Sequence, residues 1–200
     1  MTDSPATSSG HANTSAGIAR GGRRRWVADV AAFVWGLAEA TIFFLPAEML
    51  ITWLALSGPW RALRAAVFAL IGAVIGAGVL YAWGGRDPFS AMTLLSALPG
   101  LSPESMAAAE EALLEHGLAA VPAGVLSAAT GKAHAIYAQA LGIGLAPYLA
   151  VFAAVRALRL LLAGCVAFCL GAMLGCVLRR RVLLALWGLA WAFILWRMFL

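Results

Sequence analysis

The sequence predicts an all-α integral membrane protein: a helical bundle with two opposed re-entrant hairpins, laid out as an inverted repeat, and an interfacial amphipathic helix. Three observations lead there. Hydrophobic residues make up 63% of the chain and charged residues only 12%, with a mean hydropathy of +0.90, a composition that long apolar stretches impose. Most arginines stand beside apolar segments rather than within them, as residues that fix topology do. Finally, Glu39 and Glu48 are the only charges between Val30 and Trp60. Carboxylates in hydrocarbon are expensive and by default mark a polar site turned toward protein or water.

Residues 1–19 are rich in Ser, Thr, Ala and Gly, and Arg20, Arg23, Arg24 and Arg25 follow. Residues 1–25 are therefore expected to be a disordered cytoplasmic tail ending in a positive anchor. A cleaved signal peptide is not expected, because the following segment stays bulky and apolar past Trp53. On one straight helix Glu39 and Glu48 would project to opposite sides. Pro46, after the Phe43-Phe44-Leu45 run, can break that helix by removing a backbone donor, and a broken segment could turn both acids into one internal cavity. Arg61 and Arg64 then return the chain to the cytoplasmic face, which makes residues 26–57 a hairpin rather than a span. Residues 65–85 read as a clean crossing, with Gly72, Gly76 and nearby Gly78 permitting close helix approach.

Gly84 to Pro88 opens the one long polar connection. Within it Ser102 can cap a helix, Pro103 suits its first position and Gly117 can end it. Glu104, Glu111 and Glu115 recur on one face of that helix, its expected solvated side. From Leu118 the chain turns apolar again, interrupted by Pro122, Lys132, His134, Gln139 and Pro147. Lys132 is the only lysine, and Gly131 with the small run from Ser127 to Thr130 suggests a second broken segment turning near it. A long helix from about Pro147 to Leu178 carries Arg156 and Arg159 on one face. Arg179, Arg180 and Arg181 end it, and Val182 to Trp196 is a last apolar stretch, short for a span, expected to tilt or lie shallowly. Residues 26–178 form the membrane domain in this reading and residues 179–200 a C-terminal membrane segment.

Counting crossings places the first hairpin and the termini of the domain inside, and the acidic helix and second hairpin outside. Arg156 and Arg159 would then either snorkel to headgroups near the outer interface or line the cavity of the two carboxylates, where opposite charges offset each other's desolvation. Two hairpin-plus-span units of opposite orientation are the layout of an inverted repeat, which in transporters places the substrate site at the junction.

Glu39, a short apolar run and Leu45-Pro46-Ala47-Glu48 resemble the acid…Pro-x-acid signature of the DedA membrane proteins. Gly131-Lys132, Ala140-Leu141-Gly142, and Arg156 with Arg159 resemble the second half of that family, closest to its YqaA-like branch. The chain departs from the family in having one proline in the first motif and Val155 before Arg156. The resemblance covers roughly residues 30–178 and implies the VTT (SNARE-associated) fold in a bacterial cytoplasmic (inner) membrane, with the N-terminus cytoplasmic. It also implies movement of phospholipid or undecaprenyl (polyprenyl) phosphate between leaflets, flippase- or scramblase-like, coupled to protons. Carried over by position, Glu39 and Glu48 are the acidic pair that would couple to protons, with Lys132 and Arg156 as basic partners. Arg159, on the same helical face, is either a second contact to phosphate or acid or a packing residue, and Pro46 is the hairpin breaker.

The net charge of +5 speaks to topology and anionic lipid, and no aromatic–basic pattern of a nucleic-acid binder is present. No cofactor or metal is expected. Cys165, Cys169 and Cys176 spread too far along a helix to share a metal and read as buried small apolar residues, and His116 and His134 lack ligand spacing. An enzyme is not expected, since no nucleophile motif or phosphate-binding glycine loop appears. An intramembrane lipid-phosphate hydrolase would need Lys132 and His134 to meet an acid in space. The stronger alternative is a structural scaffold that binds another membrane protein, and homo-oligomers are compatible with either reading.

Overall fold

Alanine and glycine recur along one side of the helix Pro59–Arg86, where Ala62, Ala65, Ala66, Ala69, Gly72, Ala73, Gly76 and Ala77 are buried. The opposite side is bulky: Leu63, Val67, Phe68, Ile71, Ile75 and Val79 are exposed. Small residues inward and large apolar residues outward invert the pattern of a soluble protein and suit helices that pack closely in an apolar surrounding. The computed structural model describes residues 26–43, 45–97, 101–126, 128–175 and 180–199. The expected N-terminal tail with its arginine anchor, Phe44, Ser127, Cys176, Arg179 and the side chain of Arg180 lie outside the described residues.

Among the described residues helix is the only regular secondary structure, and no strand is present. In order, the helices are α1 (26–41), α2 (Glu48–Ala55), α3 (Pro59–Arg86), α4 (Pro88–Ser96), α5 (Pro103–His116), α6 (Val121–Leu126), α7 (Ala128–Ala140), α8 (Leu145–Gly175) and α9 (Arg180–Phe199), with a 3₁₀ turn at Gly117–Ala120 before α6. Two of them, α3 and α8, are long and apolar enough to cross a membrane. The order contains two similar units, α1–break–α2–α3 and α6–break–α7–α8, each ending in one of those long helices.

Contacts along α3 give the directions. Asp29 of α1 pairs with Arg64, Gly36 lies against the Ala69 carbonyl, and Ala40 meets Gly76. The offset is nearly constant, as parallel helices require, so α1 and α3 start at the same end and α2 carries the chain back between them. The close approach depends on glycine: a methyl group at Gly76 would stand 2.8 Å from Ala40 Cβ, and one at Gly72 would run into the Phe33 carbonyl. Gly78 plays no such part, since a methyl there would only touch Leu149 at 3.9 Å. Helix α7 also runs parallel to α3, with Ala135 beside Ala77, Gly84 against Ile136 and Gly85 against Gln139. Helix α8 runs antiparallel, for Tyr148 stacks on Tyr81 at 5.8 Å while Leu160 packs in the cluster of Ala62 to Ala69.

Two hydrophobic clusters result. One joins the starts of α1 to α3 with Leu160, and the other joins the far half of α3 with α4 to α7 and the start of α8. The cap expectations for α5 hold: Ser102 and Ser105 form a reciprocal capping box, Pro103 opens the helix, and Gly117 follows it at φ 55°, a conformation that glycine adopts without steric cost. Met106, Ala109 and Leu113 face the core, whereas Glu104, Glu111 and Glu115 are exposed.

Several expectations need correction. The polar connection holds an additional helix, α4, started by Asp87 and Pro88 and held by buried Ala91 and Leu95. Lys132 itself stands within the helix Ala128–Ala140, and Ser127, the first residue of the small run where the second broken segment is expected, lies outside the described residues. The last helix begins at Arg180 and runs to Phe199, longer than the apolar run alone suggested, because arginines at its ends are tolerated in a helix. Cys165 and Cys169 are exposed rather than buried. They lie on the outward side of α8, where large apolar residues such as Leu162, Val166 and Leu170 are exposed too.

Candidate functional site

The break between α1 and α2 is held by its own side chains. Trp35 donates its indole N–H to the Leu45 carbonyl at 3.1 Å and meets Phe43 edge-on at 5.9 Å. The Ala47 N–H, which a continuous helix would have spent on a carbonyl, donates instead to Glu39 Oε2 at 2.8 Å. Pro46 sits in the non-helical turn, in keeping with its expected role as breaker. Helix α2 then starts at Glu48, so the two acids come from either side of one break and both are buried, Glu39 at 3% and Glu48 at 5% exposure.

Each acid meets an arginine of α8. Glu39 pairs with Arg156, which is itself buried, and Glu48 Oε1 lies 2.7 Å from Arg159 Nε. Arg159 does more than pair: its Nη1 donates to the carbonyls of Val125 and Leu126, at 3.0 and 3.2 Å, where α6 ends. Lys132 acts reciprocally from the other unit, donating its ammonium to the Phe43 carbonyl at 2.8 Å in the first break. A helix break strands carbonyls that must find donors if they are buried. Here a cation from α7 serves the first break and a cation from α8 serves the second.

All the residues singled out from the sequence, Glu39, Glu48, Lys132, Arg156, Arg159 and Pro46, thus gather where the two broken units meet. Of the two alternatives for the arginines, the structure gives Arg156 the buried pairing rather than a snorkelling course. Arg156 lies eleven residues into α8, about 16 Å along the helix, and its guanidinium is buried against Glu39 rather than directed to an end. The pairing also leaves polar atoms over, since Glu39 Oε1 and Glu48 Oε2 are buried without a hydrogen-bond donor. Glu39, Lys132 and Arg156 border a cavity of about 20 Å³ closed by Ala40, Ala77 and Phe152, roughly the room one water needs. His134 is not part of it. Two residues from Lys132 on α7, it points to the other side of the helix and buries its ring against Gly124. The Lys132–His134–acid cluster that a hydrolase would have needed is not assembled.

Three contributors escaped the sequence reading. Asp29 pairs with Arg64 and fixes the start of α1 beside the start of α3; an acid just after an arginine cluster was the available signal. Thr52, one turn beyond Glu48, donates to the Glu48 carbonyl at 2.6 Å and accepts the indole N–H groups of Trp187 and Trp191, at 3.0 and 3.1 Å. Nothing in the spacing of Thr52 and the tryptophans announces that contact. The break carbonyls of Phe43, Val125 and Leu126 are backbone groups, which no side-chain motif reveals. Among the described residues no group of His, Cys, Asp and Glu is placed to hold a metal ion.

Comparison of the chain with protein-family models, with curated proteins and with solved structures gives no match.

Proposed function

We propose that the protein is a divergent DedA-like (VTT) membrane protein that moves a phosphate-bearing lipid, phospholipid or polyprenyl phosphate, between leaflets with coupling to protons, and is not an enzyme. One observation carries the reading: two buried carboxylates meet two buried cations, Lys132 and Arg156, and the half-buried Arg159 where the two helical units come together, inside a bundle whose outer surface is apolar. Charges are not kept in such a place for stability alone, because replacing a buried ion pair with apolar residues is often neutral or stabilising, and intramembrane ionisable groups by default mark a pathway.

In this reading α1–α2 and α6–α7 are re-entrant hairpins that enter from opposite faces, α3 and α8 are the spans, and α5 lies at an interface with its glutamates toward water. The depth is consistent. Ten residues separate Asp29 from Glu39, about 15 Å of helix rise, which is half of a hydrocarbon core of roughly 30 Å. The site would then sit near the midplane, as in transporters built from inverted repeats. The localisation is a bacterial inner membrane with the N-terminus cytoplasmic.

The geometry supports a mechanism of displacement. With both acids paired the junction is closed, and its cavity is far too small for a headgroup. A phosphate can reach the Arg156 fork only when Glu39 gives it up, and a proton on Glu39 would release it. The arginine fork then receives phosphate oxygens as it received the carboxylate, while the acyl chains remain in the bilayer. Reconstitution in liposomes tests this. Purified protein should accelerate leaflet exchange of a labelled anionic phospholipid, and a pH gradient should bias it. Absence of exchange, with the protein folded and inserted, would leave the scaffold reading; release of inorganic phosphate from the lipid would make it a hydrolase.

A further inference from the structure

A second opening lies between α4, α5 and α7 and shares no residue with the junction cavity. It is a groove of about 330 Å³, within the roughly 300–1,000 Å³ of small-molecule sites. Helix α4 borders it with Met92, Thr93 and Ser96, α5 with Met106, Ala107 and Glu110, and α7 with Tyr137. Residues three and four apart share a helix face, so each of the two short helices turns one face to the groove. Glu110 therefore differs from its neighbours on α5. Glu104, Glu111 and Glu115 are exposed, whereas Glu110 is half-buried and accepts from the Tyr137 hydroxyl.

The polar groups along this wall lack donors to spare. The Thr93 hydroxyl donates to the Phe89 carbonyl at 2.8 Å, and that of Ser96 to the Thr93 carbonyl at 2.9 Å. Each has spent its proton and offers oxygen lone pairs. The single hydroxyl proton of Tyr137 already has two acceptors, Glu110 and Met92 Sδ, the latter 3.7 Å away. Among the described residues bordering the groove, Glu110 is the only one charged at neutral pH, and it makes no ion pair with a described residue. A wall of this kind accepts hydrogen bonds and repels anions. A hard metal ion does not match it, because among the described residues no group of His, Cys, Asp and Glu is placed to hold one. The rest of the border, with Met92, Met106 and Ala107, is apolar.

We infer that this groove binds a protonated organic amine, its N–H groups donating to Glu110, Thr93 and Ser96 and its carbon stem lying on Met92 and Met106. The carboxylate supplies the counter-charge, and hydrogen bonds between ionised partners are about twice as strong as neutral ones. A neutral alcohol of the same shape brings one donor and no charge. A soluble amine and an amine-bearing lipid headgroup present the same chemistry. The site does not depend on the transport reading, since it uses none of the junction residues.

Purified full-length protein in a mild non-ionic detergent is titrated at neutral pH with butylamine, which is protonated there, and with butanol, its neutral counterpart. Binding is read by calorimetry and ligand-observed NMR. Butylammonium should bind about tenfold tighter than butanol, a difference of about 1.4 kcal/mol. Glu110→Gln keeps the shape and should remove that preference. Glu111→Gln changes the net charge equally on an exposed side chain and should keep it. Ala107→Phe fills the groove without touching a charge and should abolish binding, so the inference does not depend on Glu110→Gln folding. Displacement of butylammonium by short-chain phosphatidylethanolamine but not by phosphatidylglycerol assigns the groove to lipid headgroups. Displacement by neither assigns it to soluble amines, and either result supports an amine site. Equal affinity for butylammonium and butanol in the parent overturns it. So does an unchanged preference in a folded Glu110→Gln, the same loss in Glu111→Gln, or full binding in Ala107→Phe.

Discussion

Arg156 and Glu39 show how much a buried residue depends on its partner. Removing one member of such a pair strands a charge and costs about 3–5 kcal/mol, whereas removing both can be neutral. Arg156→Ala should therefore lower the thermal midpoint sharply, and Arg156→Met combined with Glu39→Met should restore most of it. Leaflet exchange should be lost in both, which separates a residue that works from one that only holds the fold; exchange retained by the folded double variant would show that the pair is structural. Arg159 makes a different demand. Its Nε faces Glu48 while Nη1 serves the Val125 and Leu126 carbonyls, and a single ammonium cannot span both directions as the planar fork does. Arg159→Lys should keep the pair with Glu48 and loosen the end of α6, seen as faster amide exchange at residues 125 and 126.

Among elements, the packing of α1 on α3 is set by glycine rather than by large apolar contacts. Gly72→Ala drives a methyl group into the Phe33 backbone, and overpacking of this kind costs about 1–3 kcal/mol. Gly78→Ala should change the midpoint little, because only Leu149 Cδ1 at 3.9 Å stands near; equal effects at the two positions would mean that the crossing is not where the glycines put it. Helix α9 meets α2 through the Thr52 hydroxyl and through Trp53, whose ring lies 6.4 Å from that of Trp187. Thr52→Val removes the acceptor of both indoles while keeping the shape, so amide exchange in α9 should rise with that in α3 unchanged. Outside the bundle, Ser90 donates to Asp87 at the start of α4 and holds the Asp87 carboxyl below its usual range. A carboxyl depressed in the folded state stabilises above its unfolded value of 3.8 and loses that contribution as pH falls through the lower folded value. Acid should therefore release the α4 cap only as pH falls below the ordinary carboxylate range, an effect that Asp87→Ala abolishes.

For the whole molecule, the parallel course of α1 and α3 and the antiparallel course of α8 make a definite prediction of sidedness. In a variant with Cys165, Cys169 and Cys176 replaced by alanine, Arg61→Cys should label from one side only, the cytoplasmic one in the proposed orientation. Leu145→Cys, where α8 begins beside the end of α3, should label only from the other. Labelling of both from one side would mean that α3 does not cross. The apolar outer surface belongs to this scale as well. Exposed residues such as Phe68, Ile71, Leu158 and Leu162 cover α3 and α8, a spread of apolar surface much larger than the isolated patches of soluble monomers.

The sequence by itself determined the helical, apolar character of the chain and the bounds of α5, because composition, hydropathy and capping residues act locally, whereas α3 starts at Pro59, ahead of the expected crossing at residues 65–85. It also singled out the carboxylates, Lys132 and the arginines, since a charge within an apolar run is visible without knowing its neighbours. Tertiary structure alone decided who meets whom. That Glu39 takes Arg156 and Glu48 takes Arg159 follows from α8 running antiparallel to α3, a relation no local pattern encodes. Helix α4 was missed because its core face is only Ala91 and Leu95, too short a period to read. The placement of Lys132 within a helix, and the carbonyls that it and Arg159 satisfy, could not be read at all. Every residue offers the same backbone groups, and only the three-dimensional position of a break decides which of them need a donor.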